Sequence, residues 1–529
     1  MLSARRITVR TCLRAVLWTS AFVSATPARQ QADTAEEHAD RGAVLAQAGD
    51  LTNAEAEFRR AISLSPENPQ FLASLGGILG MEHKLEASIV YFEKALQIDP
   101  NNLKTRRDLA ATQWQIGQLR QAQQNLERIL KSEPSDKSSI LLLGMVAENL
   151  KDYARAARLL SSVPDMTSQR PDSIVALGRS YYRTGQQQKA RDALNTLLTR
   201  PTTPEGLFLG GQVASEEGDA ETALKLFNSI ESTYPDPAKL AYSRAQAQYR
   251  AGQFRECEHT LMGLIRTHHE TSDYFNLLAW CYYKQGKYQE TVQAFDQAID
   301  LEPTNESNYL DLGQTLIEHH LYEVASAVAQ RAVERIPNSY RVYMLKGMVE
   351  AKQARYMEAI KSYAKAFELN AGSPEANFNL ARVQFLAGLP KEAERTFERG
   401  IQKFPHDAFT YQEYALMLLR LSETGDAGLE AHAVSLFKGA IAENPSLSEP
   451  HYQLGNLWLR KGKTSEAIRQ LEIAAGLESR DPKIHYALAR AYRHLGQDEK
   501  AARELELYEK LKSEQGKAAS ADFPAAAQK

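Results

Sequence analysis

Twelve histidines and three cysteines are the side chains here with the widest chemical reach, and their spacing limits what they could do. A zinc hydrolase of the helical kind holds its metal on His-Glu-x-x-His, two imidazoles on one face with a base beside them, and that motif is absent. His268-His269 falls at a junction between two helical segments and His319-His320 at the end of one; both pairs read as solvated. His451 and His485 lie 34 residues apart in equivalent surroundings, which a shared packing role explains without a metal. Cys257 and Cys281 read as small apolar packing residues, with a disulfide between them open to the chain if it is exported. Gly76-Gly77 and Gly210-Gly211 sit inside helical patterns and read as places where helices cross, not as phosphate loops. No catalytic, metal-binding or cofactor-binding residue is therefore expected.

The rest of the sequence is mostly packing residues, and they recur. "YFEKALQIDPNN" at 91–102 returns as "AFDQAIDLEPTN" at 294–305, with Phe92, Ala95 and Pro100 matched by Phe295, Ala298 and Pro303. At a period of 34 the same spacing runs from about residue 35 to 515. A first helix carries Leu-Gly or Leu-Ala near its middle, as at Leu75-Gly76 and Leu278-Ala279. A second helix then opens with a small residue (Ala54, Ser88, Ala122, Ala325), a bulky one four later (Phe58, Phe92, Phe295), and another small one three after that (Ala61, Ala95, Ala298). Small residues let two antiparallel helices approach, and the bulky one plugs the gap beside them. Proline closes many copies (Pro66, Pro100, Pro303, Pro405) because it cannot continue the helix. One such unit leaves an apolar face bare, so only stacking buries a continuous core.

This spacing resembles the tetratricopeptide repeat family, most closely over "SDYFNLLAWCYYKQGKYQETVQAFDQAIDLEPTN", 272–305. The resemblance implies an all-α chain, a right-handed α-solenoid superhelix of about fourteen helix-turn-helix repeats. They begin at 35, 69, 103, 137, 171, 204, 238, 272, 306, 340, 374, 408, 448 and 482, and the last ends at 515. A signal peptide over 1–28 and a disordered tail over 516–529 flank them. Three copies depart: 137–170 loses its second helix early at Pro164 and Pro171, 171–203 is one residue short, and 408–447 carries six extra residues expected to form a surface loop.

The resemblance further implies that first helices line a concave groove through their fifth, ninth and twelfth residues, one face of a helix. Those positions supply Tyr182, Phe208, Tyr242 and Tyr249 in the first half. In the second they supply Asn276, Trp280 and Tyr283, then Phe378, Arg382 and Phe385. Aromatics mixed with arginine and amides suit a protein or peptide partner. No copy has lysine at its fifth position, so the lysine clamp of some family members is not supported. A net charge of −3 gives no reason to expect nucleic acid or an anionic membrane, and no run reaches the ~18 apolar residues of a membrane span.

The leader suggests the address. Arg5, Arg6, Arg10 and Arg14 precede an apolar stretch from Ala15 to Ala25, then Thr26-Pro27-Ala28, with no acidic residue before Asp33. Basic, apolar, small is the order of a secretory signal, so export to a bacterial periplasm or cell envelope is expected. A mitochondrial presequence or a cytoplasmic tail is the alternative.

Overall fold

The computed structural model describes residues 33–267, 270–423 and 426–519, and among them every regular element is helical. The chain forms two compact units, Met1–Gly252 and Gln253–Lys529. In each, helices run in file, packed mainly on the one before and the one after. The first unit starts with Ala35–Gln47 against Leu51–Leu64 and ends on Pro237–Arg250. The second starts with Phe254–Thr267 and ends with Pro482–His494 against Asp498–Ala519. Each unit is an all-α solenoid.

The recurring small residues are where the helices touch. Ala54, Ser88, Ala122, Ala223, Ala325, Ala359 and Ala467 have no exposed surface. In several pairs the bulky plug of the second helix faces a glycine of its own first helix. A β-carbon added at Gly76 would lie 2.8 Å from the Phe92 ring, and one at Gly211 2.5 Å from Phe227, closer than carbons can pack. Gly210 is equally crowded, against Leu197, whereas Gly77 faces open space and is no crossing point.

The phrase that closes one repeat also starts the next. The Asn68 side chain accepts from the Gln70 and Phe71 amides, and Asn102 from the Thr105 amide at 3.0 Å, capping first helices just after Pro66 and Pro100. A second device sets register within pairs. His38 bonds Glu57, Arg106 bonds Asn125, His451 bonds Gln470 and His485 bonds Glu504, each partner nineteen residues on. His451 and His485 are thus buried packing residues on the same polar rung.

Turns between paired helices need a left-handed residue after the first helix. Gly286 and Gly462 supply it at φ 73°, but Ala354 holds φ 57° with a side chain. Ala354→Gly should therefore raise the stability of its unit by about 0.5–1 kcal/mol, read by urea unfolding.

The irregular copies have local causes. Tyr153–Ser162 is cut short, but buried Val163 plugs the break and Thr167 Oγ1 donates to Leu160 O at 2.7 Å. In the copy from 408, the extra residues lengthen both helices, Ala408–Ser422 and Ala427–Glu443, rather than forming only a loop. Asp426 caps the second through the Gly428 and Leu429 amides, and its alanine-rich start favours helix. The last helix likewise runs to Ala519, so 516–519 are helical where a disordered tail was expected. Residues 1–28, His268-His269 and 520–529 lie outside the described residues.

Candidate functional site

In the first unit two expected groove aromatics are core residues. Tyr182 is 4% exposed and its hydroxyl donates to Asp219 Oδ2 at 2.8 Å. Phe208 is 2% exposed and stacks on Tyr234, centroids 4.5 Å apart. Both belong to the cluster around Phe227 and leave no face for a ligand. Tyr242 and Tyr249 are half-buried. Asp219 is a buried junction: besides Tyr182 it accepts from Arg191 Nε at 2.6 Å and from the Thr222 amide and hydroxyl at 3.1 and 3.0 Å.

Burial raises the Asp219 pKa, but the Arg191, Thr222 and Tyr182 bonds together outweigh it and hold the carboxyl below its ordinary value. A depressed carboxyl contributes stability that is present above its unfolded pKa of about 3.9 and lost as pH falls through its folded value. The first unit should thus lose stability on acidification below about pH 4. In Asp219→Asn this loss should be smaller, measured by urea unfolding across pH.

In the second unit, the next three expected residues are committed to the following repeat. Asn276 Nδ2 donates to Asn308 Oδ1 at 3.0 Å and Asp311 Oδ2 at 2.9 Å, and Trp280 Nε1 reaches the same Asp311 oxygen at 3.4 Å. Trp280 also lies edge-on to buried Phe295, centroids 5.7 Å apart. The Tyr283 hydroxyl donates to Glu318 Oε2 at 2.9 Å, and burial together with that carboxylate pushes its pKa up to about 12. His319 packs against Tyr283 and Tyr288 at 5.7 and 4.5 Å and burial lowers its pKa, so this imidazole is half-buried rather than solvated. His320 beside it is exposed.

Of the remaining three expected residues, Arg382 and Phe385 line an open cavity of about 580 Å³, and Phe378 does not. Its walls come from four first helices in succession: Tyr340–Lys352, Pro374–Leu386, Ala408–Ser422 and Ser448–Arg460. Phe385 and Arg382 line it, with Met348, Leu416 and Leu419 as apolar floor. Arg382 donates to Asn379 Oδ1 at 2.7 Å, which fixes the guanidinium. It also lies beside the Tyr363 phenol, which burial pushes up to about 12. Phe378, half-buried, stacks on Phe409, which is 45% exposed. Lys352, Arg420, Glu413 and Glu449 ring the cavity with both signs of charge. Glu449 is held by Lys483 at 2.8 Å; among the described residues no carboxylate pairs with Arg420 or Lys352. Phe409, Asn379 and Arg420 were not among the expected groove residues. Phe409 is the second residue of its helix, three before the fifth and seven before the ninth, so it shares their face about one turn nearer the helix start.

Among the described residues no group of three His, Cys, Asp or Glu side chains is placed to hold a metal ion, and no helix is long and apolar enough to cross a membrane. The cavity offers aromatic faces, fixed and free cations and an apolar floor: contacts for a chain, without a nucleophile–base pair.

The chain shares 20% identity over 313 residues with the CTR9 homolog of Arabidopsis thaliana, covering 56% of this chain and 29% of that protein. It shares 20% over 356 residues with the BBSome complex member BBS4 of Bos taurus, 67% of this chain and 62% of the relative. It thus spans less than two thirds of either. The yeast Tom70 crystal structure superposes with a TM-score of 0.41 at 18% identity, over 84% of this chain and 96% of that one. Tetratricopeptide repeat profiles match residues 39–102, 81–143, 172–203, 214–281, 272–305, 310–366, 350–413 and 452–515. With most of its length matched, on helix pairs of this spacing, the chain belongs to the tetratricopeptide repeat family.

Proposed function

We propose that the protein is a non-enzymatic scaffold that holds a segment of a partner protein along the first-helix groove of residues 340–460, in a bacterial cell envelope. The observation that carries the reading is the cavity of about 580 Å³ lined by Arg382 and Phe385, with a partly exposed Phe378–Phe409 stack on two of the first helices that wall it. Aromatic and arginine side chains in a concave site are the usual anchors of a protein interface. The charged rim, with Arg420 and Lys352 beside Glu413, suits an amphipathic segment that carries both signs. The membership of a similar protein in a named complex, the BBSome, points the same way. The address rests on the Arg-rich, apolar, small-residue leader; the same leader, Arg-rich and acid-poor, favours a mitochondrial assembly receptor as second reading, and an uncleaved leader a cytoplasmic one.

Proximity labelling in the native cell, followed by titration of the recovered segment, tests the binding. Phe409→Ala should weaken affinity roughly tenfold or more while melting stays near that of the parent, because the ring is half-exposed. Unchanged affinity would exclude this groove. The address has its own readout: mass spectrometry of the native protein should find an N-terminus near Arg29, and an intact Met1 in a cytoplasmic fraction would rule out export.

A further inference from the structure

Cys257 and Cys281 stand at positions that other repeats fill with different residues. Cys257 occupies the small-residue row of second helices, where the neighbouring copies have Ala223, Thr291 and Ala325. Cys281 is the tenth residue of its first helix, where other copies have Val213, Thr315 and Val349. The helices that carry them, Phe254–Thr267 and Ser272–Lys284, pack on each other within the second unit. At this junction both positions are cysteine. Their sulfurs lie 2.8 Å apart, and neither residue has exposed surface. Non-bonded heavy atoms rest at about 3.5–4.0 Å, and a disulfide bond is about 2.05 Å. Less than about 1 Å of side-chain movement separates this contact from a bond. The third cysteine, Cys12, lies in the leader.

We propose that Cys257 and Cys281 form an intramolecular disulfide that staples the second helix of one repeat to the first helix of the next. The oxidant is a disulfide reagent, either glutathione disulfide or the disulfide of a dithiol oxidoreductase. One cysteine thiolate attacks a reagent sulfur and expels a thiolate. The second cysteine thiolate then attacks the mixed disulfide and expels the other. The two protein thiols lose two protons and two electrons; the reagent gains both as two thiols. Because both sulfurs are fully buried, the reagent meets them before the helices close or during local opening, so the bond forms with folding. The pairing rests on the fold and not on the cell-envelope reading, although an exported chain would meet such an oxidant.

What the bond fixes is the helix bearing Asn276, Trp280 and Tyr283. Among the described residues the other neighbouring repeats are joined by packing, hydrogen bonds and ion pairs, such as Asn276–Asn308 and Arg107–Asp136, without a covalent bond. Closing a loop of this length should lower the population of the locally open state on the order of a hundredfold.

The test uses the full chain, denatured with reductant and refolded in reduced and oxidised glutathione. Mass spectrometry under non-reducing, denaturing conditions should show a product lighter by two hydrogens, with a peptide linking Cys257 to Cys281. Amide exchange within Phe254–Lys284 should slow markedly relative to reduced protein of the same circular dichroism. Two or three titratable thiols in the refolded, denatured sample, or a link through Cys12, would overturn the proposal. Neither readout requires a variant to fold.

Discussion

Phe227→Ala should lower the stability of the first unit by about 3–5 kcal/mol, the range for emptying a fully buried aromatic site. The ring has no exposed surface, lies 5.6 Å from the Phe208 ring, and fills the gap left by Gly211. Glycine is needed there because any β-carbon would enter the ring, so the hole left by alanine has rigid walls and little to collapse into it. In a stack whose members touch mainly their neighbours, the loss should stay local. Hydrogen exchange should show the largest gain in opening across Pro204–Asn228 and the adjoining helices, while Ser448–His494 keeps its protection. An equal loss of protection along the whole chain would mean that the repeats unfold as one cooperative body.

Trp280→Ala should destabilise the second unit by roughly 2–4 kcal/mol, less than a fully buried aromatic because the indole is only half-buried. The change removes the edge contact with Phe295 and the donor to Asp311, leaving that carboxylate with Asn276. Trp280→Phe keeps most of the packing and should cost about 1 kcal/mol, the share of the indole N–H. Urea unfolding of the two variants separates the shares. The ninth position of a first helix looks from sequence like the groove position least needed for packing. Here it is a structural joint, and a binding loss measured on Trp280→Ala alone would mix affinity with unfolding. A drop below about 0.5 kcal/mol would return Trp280 to the groove.

The helix pairs were legible because their cause is local. Small, bulky and small residues at fixed offsets say where two helices cross, and proline followed by asparagine says where one ends and the next is capped. Those signals need no knowledge of distant residues. The openness of the groove does. Tyr182 is closed off by Asp219, Asn276 and Trp280 by Asp311, and Tyr283 by Glu318, partners 31 to 37 residues away on other helices. Whether the neighbour carries such a side chain decides if a first-helix residue faces a ligand or its own protein. Arg382 and Phe385 remain on the cavity wall because Arg382 bonds Asn379, on its own helix, while Phe378 packs against the core on one side and the exposed Phe409 ring on the other.

The fit between a glycine and its plug sets how such a chain can be cut and rejoined. Gly42 is matched to Phe58, Gly144 to Leu160, Gly347 to Tyr363 and Gly455 to Leu471, each within one helix pair. Gly313 differs: the matching position on its second helix is Ala329, and Leu345 of the next repeat fills the space. A deletion or duplication of 34 residues whose ends fall between pairs keeps each of the four within-pair matches, and only a cut between Gly313 and Leu345 parts that one. The same length cut at the turn inside a pair marries one repeat's first helix to another's second. Gly42 would then face whatever plug arrives, and Gly313 a plug on top of Leu345. Recombination in this chain has a phase as well as a period, and the turn inside the pair is the wrong phase.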